Sequence, residues 1–319
     1  MPLIDVRDLA RTFVVRKRAR GMRRTRTEVR AVRDLTFAVE SGEMVGYIGP
    51  NGAGKSTTIK MLTGILVPTA GHLHVAGLEP SRRRTDLARR IGVVFGQRTS
   101  LWWDLPLRDS FELLQKIYGI APDRYRANLA EFVELLDLGD LLDTPVRQLS
   151  LGQRMRGDIT AALLHDPEIL YLDEPTIGLD VVSKGRLREF LRTLNAERGT
   201  TLLLTTHDLQ DIEALCRRVM VIDHGTLVFD GDLAALHREG GSTRTLVVDL
   251  LDEAGPIEVP GATVRRTEGP RQWLSFPTDA SAAPIVAAVA ASYAVADLSI
   301  QEPDIEDVIR DLYGRPDRS

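Results

Sequence analysis

Between residues 43 and 230, short apolar runs alternate with segments whose apolar residues recur every three or four positions. Met44–Ile48, Ile91–Gly96, Ile169–Leu172, Thr201–Thr205 and Val219–Asp223 have the length and flanks of buried strands. Lys55–Leu66 sets Ile59, Leu62 and Leu66 at helical spacing. Leu107–Tyr118 does the same with Phe111, Leu114 and Tyr118, and Arg126–Leu138 with Leu129, Phe132 and Leu136. Ser150 is placed to cap a helix running to His165, where Asp166-Pro167 ends it. Helices over Ser183–Arg198 and Leu209–Cys216 complete the set. Strands alternating with helices predict an α/β fold with a largely parallel, doubly covered sheet.

The pattern differs at both ends. Arg11–Val15 and Val29–Phe37 read as strands, which makes the segment between them a loop or arm. His237–Arg244 is polar and Gly-rich, as a linker would be. Beyond it, Thr245–Leu251 and Gln272–Phe276 read as strands, and Pro284–Tyr293 and Ile305–Leu312 as helices. The expected division is residues 1–238 and a small α+β domain over 244–319.

Composition narrows the function classes. A chain of 319 residues with a net charge of −4 is long enough for two globular domains and is the wrong sign for a duplex binder. Cys216 is the only cysteine, so no internal disulfide forms. The N-terminal segment lacks the continuous apolar core of a signal peptide. No run reaches the ~20 apolar residues of a membrane helix. The C-terminal 80 residues are net acidic, whereas Arg16–Arg30 holds eight basic residues against Glu28. That basic run suits either solvent or anionic lipid headgroups. No aromatic interleaves it, which disfavours nucleic acid.

The chemistry is concentrated in two places. Gly49-Pro50-Asn51-Gly52-Ala53-Gly54-Lys55-Ser56, followed by Thr57, fits G-x-x-x-x-G-K-[ST] between a strand and a helix. Glycines let backbone N–H groups converge on phosphate oxygens, and the helix start adds its positive end. In this arrangement Lys55 reaches the terminal phosphates and the Ser56 hydroxyl ligates Mg²⁺. The strand Ile169–Leu172 runs into Asp173 and Glu174. Asp173 is placed to hold Mg²⁺ and Glu174 to polarise the attacking water.

Leu149-Ser150-Leu151-Gly152-Gln153 resembles the signature of ABC-transporter ATPases, usually Leu-Ser-Gly-Gly-Gln. In that family's order come Gln97 after a strand, Gly178-Leu179-Asp180, and His207 after a strand; Phe13 matches the adenine-stacking aromatic. The resemblance covers about residues 3–237. It implies a P-loop ABC cassette with a helical subdomain at about 100–165, ahead of the C-terminal domain. It further implies that two copies enclose ATP head to tail. Lys55, Ser56, Gln97, Asp173, Glu174 and His207 of one copy would face Ser150 and Gly152 of the other. Gln153 and Asp180 would belong to the same nucleotide-binding set, and Gln97 would join Ser56 and Asp173 around Mg²⁺.

Gln97–Pro106 (QRTSLWWDLP), Leu149–Arg156 and Asp173–Asp180 are similar to ATPases of ABC-2-type exporters. These include the NatA-like and daunorubicin-resistance-like proteins and the viologen-exporter subgroup. The resemblance implies a peripheral subunit at the cytoplasmic face of the plasma membrane, working with separate permease chains. Trp102 and Trp103 would then contact a permease helix, or else pack in the core. The ATPase of an ABC importer and a non-transport ABC ATPase are the alternatives. One departure stands out: Leu151 replaces the first signature glycine and would crowd the phosphate unless it points away.

Overall fold

The computed structural model describes residues 2–18, 24–96, 98–206, 208–240, 243–277 and 279–301. Two compact units emerge, Met1–Gly231 and Asp232–Ser319.

The first unit opens with β1 (Ile4–Arg18) and β2 (Arg24–Val39). They form one long antiparallel hairpin whose register runs from Ile4 opposite Val39 to Arg18 opposite Arg24. Strand pairing therefore continues far into the basic run, which is a two-stranded arm over its described length. Next come β3 (Met44–Ile48), α1 (Lys55–Leu62), β4 (Ala70–Val75), α2 (Arg84–Ala88) and β5 (Ile91–Phe95). Helices α3 (Leu107–Tyr118), α4 (Pro122–Leu135) and α5 (Leu151–Leu163) follow. The unit closes with β6 (Ile169–Asp173), α6 (Val181–Arg198), β7 (Thr201–Thr205), α7 (Leu209–Leu215), β8 (Arg218–Asp223) and β9 (Thr226–Asp232).

Strands β5-β6-β7-β3-β8-β9 form one sheet in that order, with parallel pairing from β5 through β8. Ile169, Leu170, Tyr171 and Leu172 are fully buried, as a central parallel strand covered on both faces requires. A separate antiparallel sheet, β2-β1-β4, was not legible as such. Its Ile4, Leu9, Leu35 and Val39 share one core with Val45 and Tyr47 of β3 and Ile59, Met61 and Leu62 of α1. Burial of each such side chain contributes about 1.5–3 kcal/mol, so α1 is fixed firmly beneath the loop that precedes it.

Some boundaries shift. α1 ends at Leu62, because the chain turns at Thr63, so Leu66 is outside it. α4 starts at Pro122, whose fixed φ suits a first helical turn.

The second unit holds α8 (Leu233–Gly240), β10 (Thr243–Leu250), β11 (Thr263–Glu268), β12 (Arg271–Pro277), α9 (Ala282–Ser292) and β13 (Val295–Gln301). The expected linker is thus largely helix and strand start. The sheet order is β11-β12-β10-β13, all antiparallel. Leu246, Val248, Leu274 and Phe276 pack against Ile285 and Val289 of α9. β11 and β13 lie at the edges and are mostly exposed, so they lack the alternation that announces a half-buried strand. The expected helix Ile305–Leu312 lies outside the described residues. Among the described residues, no helix is long and apolar enough to cross a membrane.

Candidate active site

The turn from β3 into α1 is built to receive an anion. Gly54 has φ 108°, and a Cβ there would sit 2.6 Å from the Ala31 carbonyl oxygen. Only glycine fits that position. α1 has no side-chain cap and no acidic residue in its first turn, so its leading N–H groups and positive end face the loop. The helix is pinned from below: Thr58 Oγ1 donates to the Gly54 carbonyl at 3.1 Å, and the buried Tyr47 hydroxyl donates to Thr58 Oγ1 at 3.2 Å.

Lys55 is buried and donates from Nζ to the carbonyls of Gly49 and Pro50. Burial lowers its pKa, and the nearby Glu174 and Asp173 carboxylates pull it back up. The ammonium is therefore held inside the loop by neutral oxygens, with the two acids close enough to be felt.

Parallel pairing of β6 with β5 and β7 places Asp173 beside Phe95 and Thr205. One Asp173 oxygen accepts from Thr205 Oγ1 at 2.5 Å; the other faces Ser56 Oγ at 3.5 Å. Glu174 follows with φ 56°, a left-handed conformation rare for a branched-free acid and a mark of local strain at functional turns. Its N–H donates to the Thr205 carbonyl at 2.9 Å. Pro50, Asn51, Gly52, Gly54, Lys55, Ser56, Thr57, Asp173 and Glu174 line a single cleft of about 490 Å³. Gly49 and Ala53 complete the loop behind it.

Ala31, Lys60, Ile65, Phe95, Gly96 and Arg98 line the same cleft. Sequence reasoning missed them as site residues. Lys60 had a usable signal, since it stands one helical turn after Ser56. Gln97 and His207 lie outside the described residues. Phe13 pairs with Val29 in the hairpin, and the Arg11 guanidinium lies 4.7 Å from its ring centroid. Phe13 is not among the cleft-lining residues.

The signature segment is a helix start. Ser150 caps α5: its Oγ accepts the Gln153 N–H at 3.2 Å, and Gln153 Oε1 accepts the Ser150 N–H at 2.8 Å. The Ser150 hydroxyl keeps its own proton to donate. Leu151 turns onto Gly178, where φ is 72° and an added Cβ would lie 2.2 Å from Leu151 Cδ2. A Cβ on Gly152 would in turn meet Leu179 Cδ2 at 2.9 Å. The signature and the Gly178-Leu179-Asp180 loop are thereby interlocked within one chain. Asp180 caps α6, accepting from the Ser183 N–H at 2.9 Å and hydroxyl at 2.7 Å; these bonds hold its carboxyl below the usual range.

A link between α5 and the segment after Gln97 was also missed. Buried Asp158 accepts from the Ser100 N–H at 2.8 Å, the Ser100 hydroxyl at 2.9 Å and the Thr99 hydroxyl at 3.0 Å. Burial raises its pKa against the pull of those bonds. An acid between Met155 and Ile159 on the apolar face of a helix was the available signal. Trp102 and Trp103, next along, are 37% and 50% exposed, and Arg154 lies over the Trp103 ring.

A family described as ABC transporter matches residues 32–177. The ABC transporter ATP-binding protein NatA of Bacillus subtilis is 32% identical over 74% of this chain and 92% of its own length. The daunorubicin resistance ATP-binding protein DrrA3 of Streptomyces coeruleorubidus is 34% identical over 89% of this chain and 92% of its own. Among solved structures, an ATP-binding subunit of an ABC transporter is similar with a TM-score of 0.64 at 28% identity, covering 74% of this chain and 92% of that one. A dimeric ATP-binding cassette in a post-hydrolysis state with ADP and Pi is similar with a TM-score of 0.62 at 25% identity, covering 72% and 98%.

Proposed function

Because the chain belongs to the ATP-binding proteins of ABC transporters, we propose that it hydrolyses ATP in the Gly49–Ser56 cleft and drives a separate ABC-2-type permease in export. The observation that carries this reading is the meeting of Lys55, Ser56, Asp173 and Glu174 in one cleft. The P-loop N–H groups receive the phosphates, and Lys55 exchanges its two carbonyl partners for phosphate oxygens. The hydroxyl of Ser56 and the free-facing oxygen of Asp173 are hard ligands 3.5 Å apart and fit a Mg²⁺ ion. Bound there, Mg²⁺ would neutralise charge on the phosphates. Glu174 takes the proton from the attacking water. His207 is the further candidate at the γ-phosphate, Gln97 is the candidate contact to Mg²⁺ and the attacking water, and Phe13 is the candidate adenine platform.

A second copy completes the pocket with Ser150, Gly152, Gln153 and Asp180. Leu151, Ile177, Val181 and Val182 are exposed beside them, with Val181 at 86%. An apolar surface of this kind next to the signature suits burial against a twin. Specific ATPase activity of the purified chain with Mg²⁺ is therefore expected to rise steeply with protein concentration. Full activity in a strictly monomeric sample would overturn the reading.

Trp102 and Trp103 offer the aromatic contact for a permease helix at the cytoplasmic face of the membrane. The basic arm supports a lipid contact there. Its segment Arg16–Arg30 gathers eight basic residues against Glu28. An anionic surface attracts such a run, at about 1 kcal/mol per basic residue. The full chain is expected to sediment with phosphatidylserine vesicles and not with phosphatidylcholine ones, and to lose that binding when Arg16, Lys17 and Arg18 become Gln. Equal binding to both vesicles would remove the lipid role.

A further inference from the structure

We propose that Asp211 is a positioning residue for hydrolysis, a buried carboxylate that joins the chain leaving Glu174 to the chain on both sides of position 207. The proposal rests on the reading that Glu174 activates water.

Asp211, on α7, has no solvent exposure. Its Oδ2 accepts from Thr176 Oγ1 at 2.6 Å, two residues beyond Glu174. The same oxygen accepts from Thr206 Oγ1 at 3.4 Å. Thr206 Oγ1 in turn accepts the Asp208 N–H at 3.0 Å. Residues 206 and 208 are thus tied, directly and through one hydroxyl, to the carboxylate that holds Thr176. From the other side, Arg188 of α6 donates Nε to Asp211 Oδ1 at 2.7 Å and places Nη2 at 2.5 Å from the same oxygen. α6 is capped by Asp180, so the loop assigned to face the second copy connects to the same node. Asp208 pairs with Lys184 and caps α7 through the Gln210 N–H, which fixes the remaining charge nearby.

Stability alone does not call for such a node. A buried ion pair is often replaced by packed apolar residues at no loss of stability, whereas removing one partner is costly. What the charge secures is direction: a carboxylate accepts from several donors at once and fixes their relative positions. The donors here belong to the segments that carry the water-activating acid and the candidate γ-phosphate histidine. A small displacement of either is expensive in rate even where binding is unaffected.

Thr176→Val removes the hydroxyl at nearly constant volume, and Thr176→Ser restores it. In the full chain with Mg²⁺ and ATP, Thr176→Val is expected to lower kcat by about 10- to 100-fold while KM and ATP affinity stay within about twofold. Thr176→Ser should recover most of the rate. In a Glu174→Gln background, Thr176→Val should change the residual rate by less than about twofold, because it acts through the acid already lost. Wild-type kcat in Thr176→Val, equal impairment in Thr176→Ser, or a parallel loss of ATP affinity would each overturn the proposal. Asp211→Asn, read by the same kcat-against-affinity split, decides the matter if the valine variant does not fold. Slow Glu174→Gln with fast Thr176→Val sinks this proposal alone. Fast Glu174→Gln sinks the assignment of the acid on which it rests.

Discussion

Glu174→Gln is expected to bind ATP and to turn it over at least ~100-fold more slowly, the scale of a lost general base. The amide keeps the size of the side chain and leaves the backbone bond to the Thr205 carbonyl in place. It also keeps the Asp173 and Ser56 oxygens that face each other in the cleft. What disappears is the proton acceptor at the end of β6. Binding and chemistry therefore separate, and an ATP-bound dimer should accumulate. Nucleotide titration, size-exclusion chromatography with ATP and a phosphate-release assay read the three quantities independently. Turnover near wild type would take Glu174 out of its role.

The second large effect is on binding. Lys55→Ala should weaken ATP affinity about 10- to 100-fold, since a bond to a charged group contributes about 1.5–3 kcal/mol. The ammonium's present partners are two carbonyls of its own loop. Exchange for phosphate oxygens replaces neutral acceptors by anionic ones and gains charge-assisted bonds. Burial already disfavours the charged lysine in the free protein, so little further desolvation of the ammonium opposes the exchange. Calorimetric titration with ATP checks the outcome, and an unchanged affinity contradicts the phosphate cradle.

The parts of the site that read directly from sequence are those whose chemistry sits in a few consecutive residues. Gly49–Ser56 and Asp173-Glu174 announce themselves because a tight turn, a helix start and a strand end each demand particular residue types in order. Asp158 and Asp211 do not, because each earns its role through partners distant in sequence: Thr99 and Ser100 for one, Thr176 and Arg188 for the other. The same distinction runs through the fold. Central strands such as β6 are apolar throughout and were placed well. β11 and β13 carry little apolar pattern because most of their side chains face water. The long hairpin was half legible, since charge along Arg16–Arg30 suggested a loop while the backbone pairs on to Arg18 and Arg24. The orientation of Leu151 was undecided by its neighbours, because the residue that receives it is Gly178.

That last contact limits how cassettes of this kind can be recombined. Leucine at 151 occupies the space a side chain at 178 would need. A hybrid that took its helical segment from this chain and its following loop from a donor with alanine or serine at the matching place would have to swing the Leu151 tip aside and hold a side chain at φ 72°. The crossover points open to such chimaeras lie before Ser150 or beyond Asp180, with the stretch between inherited whole.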